Sequence, residues 1–203
     1  MLKTNQKGQS LIEMLVALFI LVTALTATIV LIVTSINAGR QSINKLIATS
    51  LAREGIEVVR NIRDSNWIDP GDPDWDDGLV GANSTAIPVI DGSSSITLDF
   101  TVNAFTDPNA RLKMDNNQYL QDTTAGTNTQ FYRLLYINPI CQNDDDPPIE
   151  EIVSKESGDD CNAAFGGTYS KVGIRVISEV RWPSSDSSRK VIIEDRLYNW
   201  QVL

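Results

Sequence analysis

Lys7-Gly8-Gln9-Ser10-Leu11-Ile12-Glu13-Met14-Leu15-Val16-Ala17-Leu18 stands at the head of this chain and decides its architecture. From Leu11 to Val33 the only charged side chain is Glu13. At ~1.5 Å per helical residue that run reaches about 35 Å, enough to cross a hydrocarbon core. A secretory signal peptide has a shorter apolar region, about 7 to 15 residues, with a small-residue cleavage site behind it. The length therefore predicts a retained transmembrane helix. Lys3 and Lys7 flank it on the N-terminal side and hold that end in the cytoplasm, which puts the rest of the chain on the far side of the membrane. A plain anchor accounts for the length and the basic flank. It accounts neither for the glycine ahead of the span nor for Glu13, because an ionised side chain at mid-bilayer depth costs roughly 2.5 to 3.5 kcal/mol and marks function.

The stretch from Lys7 to Leu18 resembles the N-terminal processing motif of type IV prepilins and type II secretion pseudopilins. In that family a membrane peptidase cuts after the glycine, leaves the hydrophobic segment attached and methylates the new N-terminus. The resemblance implies a cut between Gly8 and Gln9, and makes Glu13 the fifth mature residue, the family's near-invariant acid. Most major pilins begin their mature chain with phenylalanine. Gln9 stands there in this chain, a departure that bears on methylation more than on cleavage and points to a minor pilin or pseudopilin. The cut creates a free amine at Gln9, and in a filament of staggered helices that amine can lie beside Glu13 of a neighbour. Two charges that are each costly in lipid then neutralise one another, and a mis-registered subunit leaves both unpaired. No proline occurs before Pro70, so no proline kink is encoded in the helix.

Past Val33 the helix is predicted to continue into water. Ile43, Ile47, Leu51, Val58 and Ile62 fall near four-residue steps, with Leu46, Ile56 and Val59 widening the stripe. Arg53 with Glu57, Glu57 with Arg60 and Arg60 with Asp64 are spaced to pair along the opposite side. Leu11 to Asp64 then makes a helix of about 80 Å, in which Gly39 and Gly55 each cost about 1 kcal/mol and offer points of bending. The segments 51–57 and 61–67 resemble those of PilV-type minor pilins. The expected organisation is a leader over residues 1–8, a transmembrane helix over 9–36, its amphipathic continuation over 37–66 and a β-rich head over 67–203. The fold class is α+β and pilin-like: a long N-terminal helix packed on a small antiparallel sheet.

The head is long enough for its own core. Ile96, Leu98, Phe100 and Val102 alternate with polar neighbours, as a half-buried strand does. Phe131 to Ile137 is a more continuous apolar run closed by Pro139. Val172, Ile174 and Val176 alternate, and a change of phase near Ile177, ahead of Val180 and Trp182, suggests a bulge. Val191 and Ile193, then Tyr198, Trp200 and Val202, suggest a last strand with a similar shift. Residues 183–188 form a polar turn between these two, giving a hairpin over 169–202 and a sheet of about four strands.

Cys141 and Cys161 are the only cysteines. In an oxidising compartment they are expected to pair, closing a loop of about 20 residues worth about 3 kcal/mol on the chain-entropy model. The pairing also resembles the disulfide-bounded C-terminal loop of many pilins, although here a long hairpin follows the second cysteine.

The acidic loop over residues 69–78 is the one candidate for site chemistry. Asp72, Asp74 and Asp76 place oxygen ligands at alternate positions, with Asp77 and Gly78 behind them, a spacing suited to a hard cation such as Ca²⁺. Asp77 breaks the EF-hand register, and position twelve counted from Asp72 is Asn83, not a bidentate glutamate; a solvated turn-rich loop is the simpler reading.

The chain has no histidine, which excludes Ser-His-Asp and Cys-His catalysis and His-ligated zinc. The formal charge of −9 argues against broad binding to a phosphate backbone, and the leader takes two lysines away with it. Arg175, Arg181, Arg189, Lys190 and Arg196 read as solvent-facing strand positions rather than a nucleic-acid patch. The sequence thus points to a non-enzymatic filament subunit without a resident cofactor. Its partners are other pilin or pseudopilin subunits, a prepilin peptidase, an assembly platform and membrane lipid. A membrane-tethered binding or adhesion module, with calcium at the acidic loop, is the alternative from another class.

Overall fold

The computed structural model describes residues 7–69, 71, 74–81, 84–90, 95–122, 124–145, 148–153, 161–183 and 188–200. The leader up to Gln6, Asp72 and Asn83 of the cation reading, residues 184–187 of the predicted turn, and Val202 lie outside them. Two compact units divide at Leu46 and Ile47.

The first unit is helical. Helix α1 runs over Lys7–Ile68, and its portion up to Leu46 belongs to this unit. Its large apolar side chains, from Leu11 through Phe19 and Leu31 to Ile36, are all exposed. By length and composition the helix can cross a membrane. The hydroxyls in the span are satisfied internally: Thr23 donates to the Phe19 and Ile20 carbonyls, Thr26 to those of Val22 and Thr23, and Thr28 to that of Ala24. Such back-bonding removes the cost of a hydroxyl in lipid.

In the second unit the rest of α1 packs on one eight-stranded antiparallel sheet. Its strands are β1 Thr85–Ile90, β2 Ile96–Asp99, β3 Arg111–Asp115, β4 Gln118–Leu120, β5 Thr127–Asn143, β6 Glu150–Ile152, β7 Tyr169–Pro183 and β8 Ser188–Tyr198. The long β5 is the spine. Along one edge it meets β3, β1 and β6 in turn, and along the other it pairs with β7, which pairs with β8. A short helix, α2 (Cys161–Phe165), leads into β7. Asn116 and Asn117, both at positive φ, make the two-residue turn between β3 and β4, a geometry asparagine tolerates.

Eight strands stand where about four were expected. The additional ones are three to six residues long, too short to show a clear alternation of their own. Pro139, expected to close the apolar run, lies inside β5. Its carbonyl accepts from Val153 N–H at 3.0 Å, so its nitrogen faces the same edge, between the stretches paired with β1 and β6. No ladder bond is lost there, which is where a strand admits proline.

The two expected phase shifts do not occur. In β7, Val172, Ile174, Val176, Ser178, Val180 and Trp182 are all buried in one unbroken alternation, and β7 pairs with β8 without interruption from Gly173 to Pro183. Ser178 occupies an inward position usually filled by a hydrophobe. In β8 the inward phase runs through Val191, Ile193, Asp195 and Leu197. The strand ends at Tyr198, and Trp200 packs edge-on against Trp67 of α1 at 4.8 Å. Likewise β2 stops at Asp99, although Val102 is buried beyond it.

These two polar interruptions are where α1 comes down on the sheet. Ala48, Leu51, Ala52, Gly55, Ile56 and Val59 form the buried face of the helix, meeting Leu135, Ile137, Ile174, Val176 and Leu197 at one end and Phe131, Val180 and Trp182 at the other. Ile43 and Leu46, expected in this stripe, are exposed. The stripe is rotated towards small residues, which permit close approach. A Cβ at Gly55 would stand 2.7 Å from Ser178 Oγ and 2.8 Å from Leu135 Cδ2. Asp195 is met by Arg60 Nη2 at 2.6 Å, while Arg60 Nη1 keeps the expected helical pair with Glu57 at 2.5 Å. Asp64 is held by Arg63 rather than Arg60.

Gly55 is thus a packing residue. Gly55→Ala gains about 1 kcal/mol of helix propensity but overpacks the Ser178 contact at about 1 to 3 kcal/mol, so a net loss near 1 kcal/mol is expected by denaturant titration. Adding Ser178→Ala, which removes the Oγ, should restore part of it, the Leu135 contact remaining. A methyl group added at Gly39 would meet nothing within 4 Å, so that position should accept alanine without loss.

Candidate functional site

The backbone of the Gly8–Gln9 junction is helical, within the first turn of α1. Glu13 follows one turn later, exposed among exposed Leu11, Ile12, Met14 and Leu15. Among the described residues its carboxylate has no hydrogen bond and no ion pair within its own chain. The helical hydroxyls bond to their own backbone, so Glu13 is left as the polar group of the span that needs something from outside.

The head holds its own internal ties. Cys141, on β5, and Cys161, opening α2, form a disulfide with Cα atoms 5.6 Å apart. Val153 is fully buried against it, with Phe165 and Tyr169 alongside. Replacing both cysteines by alanine should cost about 3 kcal/mol for a loop of this length. For a domain of this size that is a fall in Tm of about 6 to 12 °C, readable by calorimetry.

The acidic loop is braced rather than open. Lys171 Nζ bonds Asp76 Oδ2 and lies 5.8 Å from the Trp75 ring centroid. Asn66 Nδ2 donates to the carbonyls of Trp75 and Asp77 at 3.2 and 2.9 Å, tying the loop to the end of α1. Asp74 and Asp77 are exposed. A cation at this loop would have to displace the Lys171 ammonium, and among the described residues no group of three or more acidic or cysteine side chains is placed to hold a metal ion.

The basic strand positions are largely neutralised. Arg181 Nε donates to Glu179 Oε1 at 2.6 Å, Lys190 lies 3.7 Å from the same oxygen, and Arg196 lies 3.9 Å from Glu150. Arg175 bonds Asn138 Oδ1 at 3.3 Å. Arg189 and Lys190 are exposed.

Arg133 was not singled out by sequence, although it interrupts the apolar run 131–137. It faces inward from β5 and is 2 % exposed. Its Nε donates to Gln121 Oε1 at 2.8 Å, and its Nη1 donates to the Leu51 carbonyl at 3.1 Å and to Glu54 Oε1 at 3.3 Å. Gln121, buried too, donates to the carbonyls of Ala110 and Arg133, both at 3.0 Å. Burial pushes the guanidinium down from its ordinary pKa, and Glu54 pulls it back. One arginine therefore joins helix, β5 and the segment after β4.

No curated protein and no solved structure matches the chain. Residues 3–36 match the family model described as the prokaryotic N-terminal methylation motif. That match contains Gly8, Gln9 and Glu13, and with the long helix on an antiparallel sheet it supports placing the chain in the type IV pilin and pseudopilin family.

Proposed function

We propose that the chain is a minor pilin or pseudopilin: a structural, non-enzymatic subunit cut by a prepilin peptidase between Gly8 and Gln9, stored in the membrane by residues 11–33 and drawn by an assembly platform into a filament of the type IV pilus or type II secretion kind. The observation that carries this reading is Glu13, exposed in an apolar helix and unpaired in its own chain among the described residues, inside a matched methylation motif. Cleavage supplies the partner that the monomer lacks. The α-amine of a neighbour's first mature residue is a cation held close to the helix axis, and N-methylation leaves it basic. Pairing offsets the desolvation of both charges only in the correct stagger, so the pair sets register more than affinity.

The test is mass analysis of the protein's N-terminus in membrane and sheared-filament fractions. The reading expects a chain beginning at Gln9 in the filament fraction, with the uncut form confined to membranes. A filament fraction that begins at Met1, or a protein cut behind the span and released, would overturn it.

A further inference from the structure

On the sheet face away from α1, a cleft of about 530 Å³ lies between the 105–109 segment and strands β3 and β5. Its floor is made of two cross-strand pairs, Arg111 with Tyr132 and Lys113 with Asn128. Phe105, Asp107 and Asn109 form the wall. The wall is fixed from below, since the Arg181 guanidinium stacks 4.0 Å from the Phe105 ring centroid, and from within, since Asp107 Oδ1 accepts from Asn109 N–H at 2.8 Å.

We infer that this cleft is a binding site for an acidic saccharide, a sugar ring bearing a carboxylate. The inference rests on the head alone and stands whether or not the helix assembles. Arg111 spends Nε on the Thr129 carbonyl at 2.6 Å, which fixes the side chain. Its two Nη groups have no hydrogen bond among the described residues, leaving a planar pair of donors matched to a carboxylate. Lys113 adds a second positive charge on the same floor. The lining thus carries two cations against the single Asp107, in a chain of net charge −9.

The remaining groups are neutral and two-sided. The Asn109 and Asn128 amides each donate and accept, as does a hydroxyl, and this is what vicinal sugar hydroxyls require. The Tyr132 hydroxyl has no hydrogen-bond partner among the described residues. Phe105 and Pro108 supply apolar surface for the C–H face of a pyranose, beside the Tyr132 ring, over which the Arg111 guanidinium lies at 5.6 Å. The volume falls within the range of small-ligand pockets and holds about one or two rings. A nucleic acid fits poorly: a polyphosphate meets the repulsion of the whole acidic chain, whereas a single carboxylate meets only the local cations.

The experiment is titration of the full chain in detergent with galacturonate, neutral galactose and inorganic sulfate, followed by calorimetry. Galacturonate should bind saturably and at least ten-fold more tightly than either control. Asn128→Asp places a charge at an exposed floor position and should weaken binding ten-fold or more without lowering Tm, and Tyr132→Phe should weaken it about three-fold. Absence of saturable galacturonate binding, equal binding by sulfate, or binding indifferent to Asn128→Asp would each overturn the inference. None of these results touches N-terminal processing.

Discussion

Glu13→Ala should leave the protein inserted in the membrane and its head folded, yet lower its recovery in sheared filaments at least ten-fold. The substitution removes the one charge in the span, so insertion becomes easier by roughly 2.5 to 3.5 kcal/mol. Nothing in the head depends on it, since α1 buries its first side chain against the sheet only at Ala48. What is lost is the partner for a neighbour's amine. An amine left unpaired in the filament interior carries the full desolvation penalty, which is why losing one member costs more than the pair contributes. Glu13→Gln keeps the shape and a hydrogen-bond acceptor, but should fail nearly as badly, because the amine needs a charge. Fractionation and head-domain melting together separate this from a folding defect. Normal incorporation of Glu13→Ala would remove the assembly role from this residue.

The second large effect belongs to the head. Arg133→Ala is expected to destabilise it by about 3 to 5 kcal/mol, as it opens a cavity under α1 and orphans Gln121 Oε1. For a domain of this size that corresponds to a Tm fall on the order of 10 °C. Arg133→Met fills most of the space and isolates the polar part, about 1 to 3 kcal/mol for a buried acceptor left unmet. Pairing it with Gln121→Met should not recover that loss, since the Ala110 and residue-133 carbonyls then lose their donor. Glu54→Gln should cost only about 1 kcal/mol, because Glu54 is 48 % exposed and water screens its charge. A result in which Glu54→Gln is as damaging as Arg133→Ala would mean that the charge pair, not the hydrogen-bonded fork, holds the helix to the sheet.

These two residues also show which parts of the molecule can be read from the chain. The signal around Glu13 is local: a glycine, an acid and an apolar run within a dozen residues, a stretch that matches as a methylation motif. The disulfide was legible because only two cysteines exist and both lie beyond the span. Ser178 and Asp195 misled in the opposite way. Each is polar at an inward position, and read along its own strand each looks like a slip of phase. Their reason lies more than a hundred residues away on α1, where Gly55 brings the backbone close to Ser178 and Arg60 meets Asp195. The helix stripe was misplaced for the same cause. Ala48, Ala52 and Gly55 carry little hydrophobic signal, yet small size is what close packing selects, and Ile43 and Leu46 drew the predicted face around towards themselves. Arg133 interrupted an apolar run in plain view, but a buried arginine has meaning only once Gln121, Leu51 and Glu54 are known to converge on it.

In the assembly we propose, Glu13 of one subunit meets the amine that cleavage creates on another. Zero-length carbodiimide coupling of sheared filaments, followed by peptide mass spectrometry, reports that contact directly, since it joins only a carboxylate and an amine already in contact. The expected product is a cross-link between the peptide containing Glu13 and the N-terminal peptide of a neighbouring subunit, absent from uncut protein in membranes. Filaments that contain the subunit but give no such product, while coupling readily between other neighbouring carboxylates and amines, would refute the pairing.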